Sequence, residues 1–103
     1  MQSLFDYMRK YKCEDGSELC EPFIRAPKRR TDPEYYEVVS DPIDMLRIQQ
    51  KLKTDEYSDV GELKADLQKL IDNAVAFYKE DTEEREAANE MQDLLNKAMG
   101  KNN

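Results

Sequence analysis

An all-α bundle of four helices with one long first connection is the fold this sequence predicts, and three observations predict it. Apolar residues recur at three- and four-residue spacing in four separate segments; no segment alternates with a period of two; and all four prolines, Pro22, Pro27, Pro33 and Pro42, fall between the first segment and the start of the second. At 103 residues the chain is long enough for one modest core, so residues 1–103 are read as a single domain. Charged residues make up 38% and hydrophobic ones 39%, a balance suited to a small helical domain and too apolar for a disordered tail.

The first helix is carried by Leu4, Phe5, Met8 and Tyr11 and ends near the turn-forming run Glu14-Asp15-Gly16. From Leu19 to about Asp41 the period is lost, which predicts a long ordered loop with a helical turn around Tyr35 to Val39. A loop of that length in a compact domain is usually functional. The second helix is expected to open at Pro42 under an Asp41 cap, with Asp44 reaching back, and to run through Met45, Ile48 and Leu52 to Thr54-Asp55. The third starts at Ser58 or Asp59, with Glu62 completing a capping box. Its stripe is Val60, Leu63, Leu67, Leu70, Ile71, Ala74, Phe77 and Tyr78. The fourth is capped by Thr82, carries Glu83 and Glu84 at its positive end, and buries Ala87, Ala88, Met91, Leu94, Leu95 and Ala98 before Gly100 stops it.

A formal charge of −7 makes the surface as a whole repel nucleic acid and anionic membrane. One basic strip survives at Arg25, Lys28, Arg29 and Arg30, able to contact phosphate or simply to sit in solvent. Cys13 and Cys20 are the only cysteines and histidine is absent, so a zinc site of Cys and His ligands is not expected and no cofactor is. No apolar run approaches the roughly 20 residues that span a bilayer, and the opening residues have no signal-like apolar core. Free thiols in a reduced intracellular protein are the expectation. The acids Glu83, Glu84 and Glu86 are read as helix capping, and nothing pairs a nucleophile with a base, so catalysis is not expected.

The richest stretch runs from Asp32 to Met45, where Pro33-Glu34-Tyr35-Tyr36 presents two aromatics on the long loop. If that loop folds back over one end of the bundle, Phe23, Tyr35 and Tyr36 meet Phe77 and Tyr78, whose rings lie where the third helix ends. An aromatic-lined cavity there could hold a neutral amide or a cation, with the Tyr35 or Tyr78 hydroxyl as donor. Taken from the residues alone, plain core is the commoner role for aromatics at helical spacing in a small domain, by roughly three to one.

Three separated motifs, Glu21-Pro22-Phe23, Pro33-Glu34-Tyr35-Tyr36 leading to Pro42-Ile43-Asp44-Met45, and Asn73-Ala74-Val75-Ala76-Phe77-Tyr78, occur in the order found in the bromodomain family, and the chain resembles that family from Ser3 to about Ala98. The four apolar stripes can be satisfied internally and no heptad run offers a dimer seam, so a monomer is expected. The resemblance implies a left-handed four-helix bundle that recognises acetyl-lysine in a pocket formed here by Pro22, Phe23, Pro27, Tyr35, Tyr36, Ala74, Phe77, Tyr78 and Glu84. It makes Tyr35 the residue expected to hold a pocket water. It also marks three departures. Glu21 stands where many members have tryptophan; Tyr78 stands where the family's asparagine donates to the acetyl carbonyl; Glu84 stands where the pocket mouth is usually apolar.

The function implied is a nuclear, non-catalytic histone-recognition module of a SWI/SNF-type chromatin remodeller, with acetyl-lysine binding weak or altered. Its implied partners are acetylated histone tail peptides, the nucleosome and other remodelling subunits. The alternative is a module that docks to protein or DNA through Arg25, Lys28, Arg29 and Arg30 without regard to acetylation.

Overall fold

The computed structural model describes residues 2–98, and every regular element among them is helical. Helix α1 covers Gln2–Lys10, α2 Pro33–Val38, α3 Met45–Lys53, α4 Val60–Phe77 and α5 Glu83–Ala98, with one 3-10 turn at Glu21–Phe23. The bundle is built by α1, α3, α4 and α5; α2 is the helical turn expected in the long loop, beginning two residues earlier, at Pro33. Gly100, the expected stop of the last helix, lies outside the described residues.

Helix α1 ends at Lys10, before Tyr11, because the next residues turn back on themselves. Lys12 and Glu18 form an isolated antiparallel bridge around Gly16, whose φ of +85° is open to glycine at little cost. The Asp15 carboxylate accepts from the Ser17 hydroxyl at 2.6 Å and from its backbone N–H at 3.0 Å, fixing that turn.

The start of the second bundle helix corrects the sequence expectation. Asp44, not Asp41, is the cap of α3: its Oδ1 accepts from the Arg47 N–H at 2.8 Å, and the helix begins at Met45, after Pro42. Asp41 is drawn away to α4, where its carboxylate meets Lys69 Nζ at 2.7 Å and its carbonyl accepts from Asn73 at 3.0 Å. Helix α4 opens as expected. Asp59 accepts from the Glu62 N–H at 3.0 Å, and Glu62 reaches back to accept from the N–H of Ser58, one residue before the cap, a variant of the capping box. Thr82 caps α5 by accepting from the Arg85 N–H at 3.2 Å.

The core lies where the four long helices meet. Met8, Ile48, Leu63, Leu67, Met91 and Leu95 are all fully buried, and Phe5, Leu70, Ile71 and Leu94 close around them. Two expected core positions are exposed instead, Val60 in the first turn of α4 and Ala98 at the end of α5. Both sit at helix ends, beyond the stretch where a neighbouring helix can cover them. Cys13 and Cys20 are free thiols; Cys20 is buried, with its Sγ 3.1 Å from the Met8 carbonyl, and burial pushes it up to about 12.

Beneath the turn joining α3 to α4, the buried Asp66 collects the Tyr57 hydroxyl at 2.6 Å and Lys51 Nζ at 2.7 Å. Burial opposes ionisation there, but these two donors and the nearby Lys69 charge outweigh it and hold the Asp66 carboxyl below its ordinary value. At the end of α3 the chain closes a Schellman turn: the Glu56 N–H donates to the Lys51 carbonyl at 2.9 Å and the Asp55 N–H to that of Leu52 at 3.3 Å. The turn places Asp55 at a φ of +56°.

Candidate functional site

The long loop does fold back over one end of the bundle, held by two connections to the start of α3: the Ala26 N–H donates to Asp44 Oδ2 at 2.8 Å and the Leu46 N–H to the Ile24 carbonyl at 3.2 Å. A third bond, from the Tyr36 hydroxyl to the Pro27 carbonyl, ties the loop to itself. Asp44 therefore does two jobs, capping α3 with one carboxylate oxygen and tying down the loop with the other. Full hydrogen bonding is what allows this carboxylate to be buried.

Under the folded loop lies a small cavity. Pro22, Phe23 and Pro27 form its loop side and Tyr35 its α2 side, and Ala74 and Tyr78 bring the end of α4. Six of the residues expected from the sequence thus converge. Ile43, Asp44, Leu70, Ala26 and Arg25 complete the wall; the sequence points to Arg25 as a possible nucleic-acid contact, to Leu70 as core and to Asp44 as part of a helix start, and to none of the five as a pocket residue. Tyr36, Phe77 and Glu84, also expected at the pocket, do not line the cavity.

The aromatics instead form a chain of edge-to-face contacts. Tyr36 meets Tyr35 with centroids 5.2 Å apart, Tyr35 meets Phe77 at 4.9 Å, and Phe77 meets Tyr78 at 5.0 Å. Phe77 serves as the joint between the tyrosine of α2 and that at the end of α4. Outside, the Arg29 guanidinium stacks 4.4 Å from the Tyr36 ring centroid, so one member of the basic strip is held against the aromatic wall. Lys28 and Arg30 are exposed beside it.

Tyr78 is the residue where α4 stops. Its N–H still donates to the Ala74 carbonyl at 2.8 Å, but its ψ of 142° takes the chain out of the helix. The cavity it borders has a volume of about 10 Å³, room for roughly one water. An acetamide head is several times larger, so in this arrangement the space is closed to it. Neither the Tyr35 nor the Tyr78 hydroxyl bonds to another described residue. Burial pushes Tyr35 up to about 12, and burial followed by the charges of Glu84 and Asp32 raises Tyr78. Both phenols thus stay protonated at neutral pH and able to donate.

A larger groove, about 460 Å³, opens on the other side of Pro22, between residues 13–22 and the first turns of α5. Its rim carries Glu18, Glu21, Glu83, Glu86 and Glu90, and none of the aromatics reaches it. The smaller cavity is the better candidate, because the phenol donors and the apolar sleeve meet there.

One residue that sequence reading missed controls the turn after Tyr78. Arg85 Nη1 donates to the Tyr78 carbonyl at 3.1 Å and lies 3.4 Å from that of Val75, capping the end of α4 from α5. No local spacing signal points to it.

Comparison with known proteins agrees with this geometry. A sequence profile described as Bromodomain matches residues 5–90. The chain is 37% identical over 67 residues to the ATP-dependent helicase brm of Drosophila melanogaster, covering 65% of this chain and 4% of that protein. It is 34% identical over 77 residues to the SWI/SNF chromatin-remodeling complex subunit snf22 of Schizosaccharomyces pombe, covering 75% of this chain and 5% of that one. Against the chromatin structure-remodeling complex subunit rsc1 of the same yeast it is 34% identical over 70 residues, 68% of this chain and 9% of that protein. The chain thus spans less than a tenth of the length of these relatives. Among solved structures, the bromodomain from human BAZ1A superposes with a TM-score of 0.84 at 20% identity, covering 97% of this chain and 88% of that one, which shows a common fold. With the profile spanning most of the chain, the loop folded over the bundle end and the fold shared, this chain belongs to the bromodomain family.

Proposed function

We propose that this chain is a nuclear, chromatin-associated histone-recognition module in which acetyl-lysine binding is weak because Tyr78 occupies the anchoring position. The observation that carries this reading is the cavity itself: it has room for about one water and is bordered by the phenol of Tyr78, the residue that the family resemblance aligns with the acetyl-anchoring asparagine. A phenol offers one donor on a long rigid ring where an amide would offer two on a short stem. Tyr35, unpartnered at the same cavity, is suited to hold a water that bridges to an acyl oxygen. Glu84 does not line the cavity but lies near enough to raise Tyr78 by its charge, and Glu21 faces the larger groove on the other side of Pro22. Membership of the bromodomain family supports reading the domain as a binding module.

Relatives in chromatin-remodelling complexes support the nuclear setting and partners among histones, the nucleosome and remodelling subunits. Within the family, the runs from Cys20 to Arg30, Tyr35 to Ser40 and Ile48 to Lys53 resemble the first bromodomain of polybromo, a subunit of such complexes. The test is an amide-shift titration with paired acetylated and unmodified histone tail peptides. Shifts at Tyr35, Ala74 and Tyr78 with the acetylated peptide alone support the reading; equal responses to both peptides overturn it.

A second reading rests on the exposed Arg25, Lys28 and Arg30 beside Arg29 and the cavity. This strip is placed to contact phosphates while a tail peptide is bound. Replacing Lys28, Arg29 and Arg30 together by alanine is expected to weaken DNA or nucleosome binding and to flatten its log-log salt dependence by up to about 3. Unchanged binding would assign the strip to solvent.

A further inference from the structure

Tyr78 is held by its backbone on both sides. Its N–H is fixed to the Ala74 carbonyl at 2.8 Å, and its carbonyl is fixed by Arg85 Nη1 at 3.1 Å. These two bonds restrain φ and ψ at the one residue where α4 ends, and with them the direction of the Tyr78 ring. Arg85 is itself anchored: its N–H lies on the Thr82 cap at 3.2 Å, and Thr82 donates to the Lys79 carbonyl at 2.7 Å, so the whole turn from Lys79 to Arg85 is one hydrogen-bonded unit. The guanidinium is committed to this turn at some cost, since its Nε is buried without a partner among the described residues.

We propose that Arg85 is a positioning residue that sets how often the cavity is open, by clamping the backbone of Tyr78 and so keeping its ring in the pocket. The proposal rests on the reading of Tyr78 as the group that fills the acetyl-lysine site. Removing the Arg85 donor leaves the Tyr78 and Val75 carbonyls without their side-chain partner, frays the last turn of α4 and lets the ring leave. Apparent affinity is the intrinsic affinity multiplied by the open fraction, so a larger open fraction raises it.

The experiment is an amide-shift titration of four proteins, native, Arg85→Gln, Tyr78→Asn and the double variant, with the same acetylated and unmodified peptides. Hydrogen exchange at the Tyr78 amide is read alongside. Arg85→Gln is expected to accelerate exchange at Tyr78 and to raise affinity for the acetylated peptide by about three- to tenfold, with no gain for the unmodified one. In the Tyr78→Asn background the same change is expected to add nothing, because there is no ring left to release. Arg85→Lys, which keeps a donor for the Tyr78 carbonyl, is expected to stay near native and provides a folded control if Arg85→Gln is unstable.

Faster exchange at Tyr78 without an affinity gain, while Tyr78→Asn does gain, overturns the role of Arg85 and leaves the reading of Tyr78 standing. Equal gains in both backgrounds, or a Lys variant that gains as much as the Gln variant, overturn it too. No gain from Tyr78→Asn itself overturns both.

Discussion

Tyr57 and Tyr78 are both tyrosines whose hydroxyls are raised above their ordinary value by burial first, but the two regions treat the phenol in opposite ways. At Tyr57 the hydroxyl is spent on Asp66 at 2.6 Å, within a network that also takes Lys51. At Tyr78 the ring borders a cavity and the hydroxyl bonds to no described residue, its orientation set instead by the backbone clamp from Ala74 and Arg85. A satisfied phenol is a strut. An unsatisfied one beside a cavity is a group held ready for a ligand or standing in for one.

The contrast is first tested against the core that supports both regions. Leu67, fully buried on α4 among the long helices, is expected to cost about 2–5 kcal/mol when changed to alanine, read from urea unfolding. A loss near zero would mean that α4 is not the central element, and neither tyrosine would then be where the bundle places it.

Next comes the comparison itself. Tyr57→Phe removes a donor from a buried carboxylate and is expected to cost about 1.5–3 kcal/mol, whereas Tyr78→Phe breaks no protein hydrogen bond and is expected to cost less than about 0.5 kcal/mol. Equal costs would erase the distinction. The network also predicts an acid response. The Asp66 carboxyl is lower when folded than when unfolded, so its contribution is complete above its ordinary value near 3.8 and is lost as pH falls through the folded value. Thermal melts from pH 6 downward, in Asp66→Asn beside the native chain, are expected to show the native protein losing more of its stability below about pH 4.

How far the sequence reveals the fold follows the same division between local and distant causes. The stripes of α4 and α5 and the caps Asp59 and Thr82 are legible because each depends on residues within one turn. The start of α3 is not, because Asp44 is chosen as cap partly by a bond to Ala26, eighteen positions away, and Asp41 is drawn off by Lys69 and Asn73. In the cavity, Phe23, Pro27, Tyr35, Ala74 and Tyr78 are legible from the aromatic runs and the family resemblance. Leu70 and Asp44 were foreseen only as core and capping residues, and Ala26 and Arg85 not at all, since the latter two act through an N–H and a guanidinium that meet distant backbone or carboxylate. The closure of the cavity depends on where one ring turns after the helix ends, which no spacing encodes.

A small effect of opposite sign is expected at the far end of α3, where Asp55 holds a φ of +56° in the Schellman turn. Asp55→Gly is expected to stabilise by about 0.5–1 kcal/mol, since a left-handed residue with a Cβ is strained and the exposed carboxylate makes no contact the turn needs. Destabilisation would show that this side chain contributes to the α3–α4 turn and so to the Tyr57 region.

The most direct test of the central claim is calorimetry of the native chain and Tyr78→Asn with one acetylated histone tail peptide and its unmodified twin. The native chain is expected to bind the acetylated peptide feebly. Tyr78→Asn is expected to gain about 1–3 kcal/mol, some one to two orders of magnitude, because the amide restores a donor and vacates the volume of the ring. The unmodified peptide is expected to gain nothing. Tight binding of the acetylated peptide by the native chain, abolished by Tyr78→Asn, would show that the phenol is itself the anchor and contradict the account.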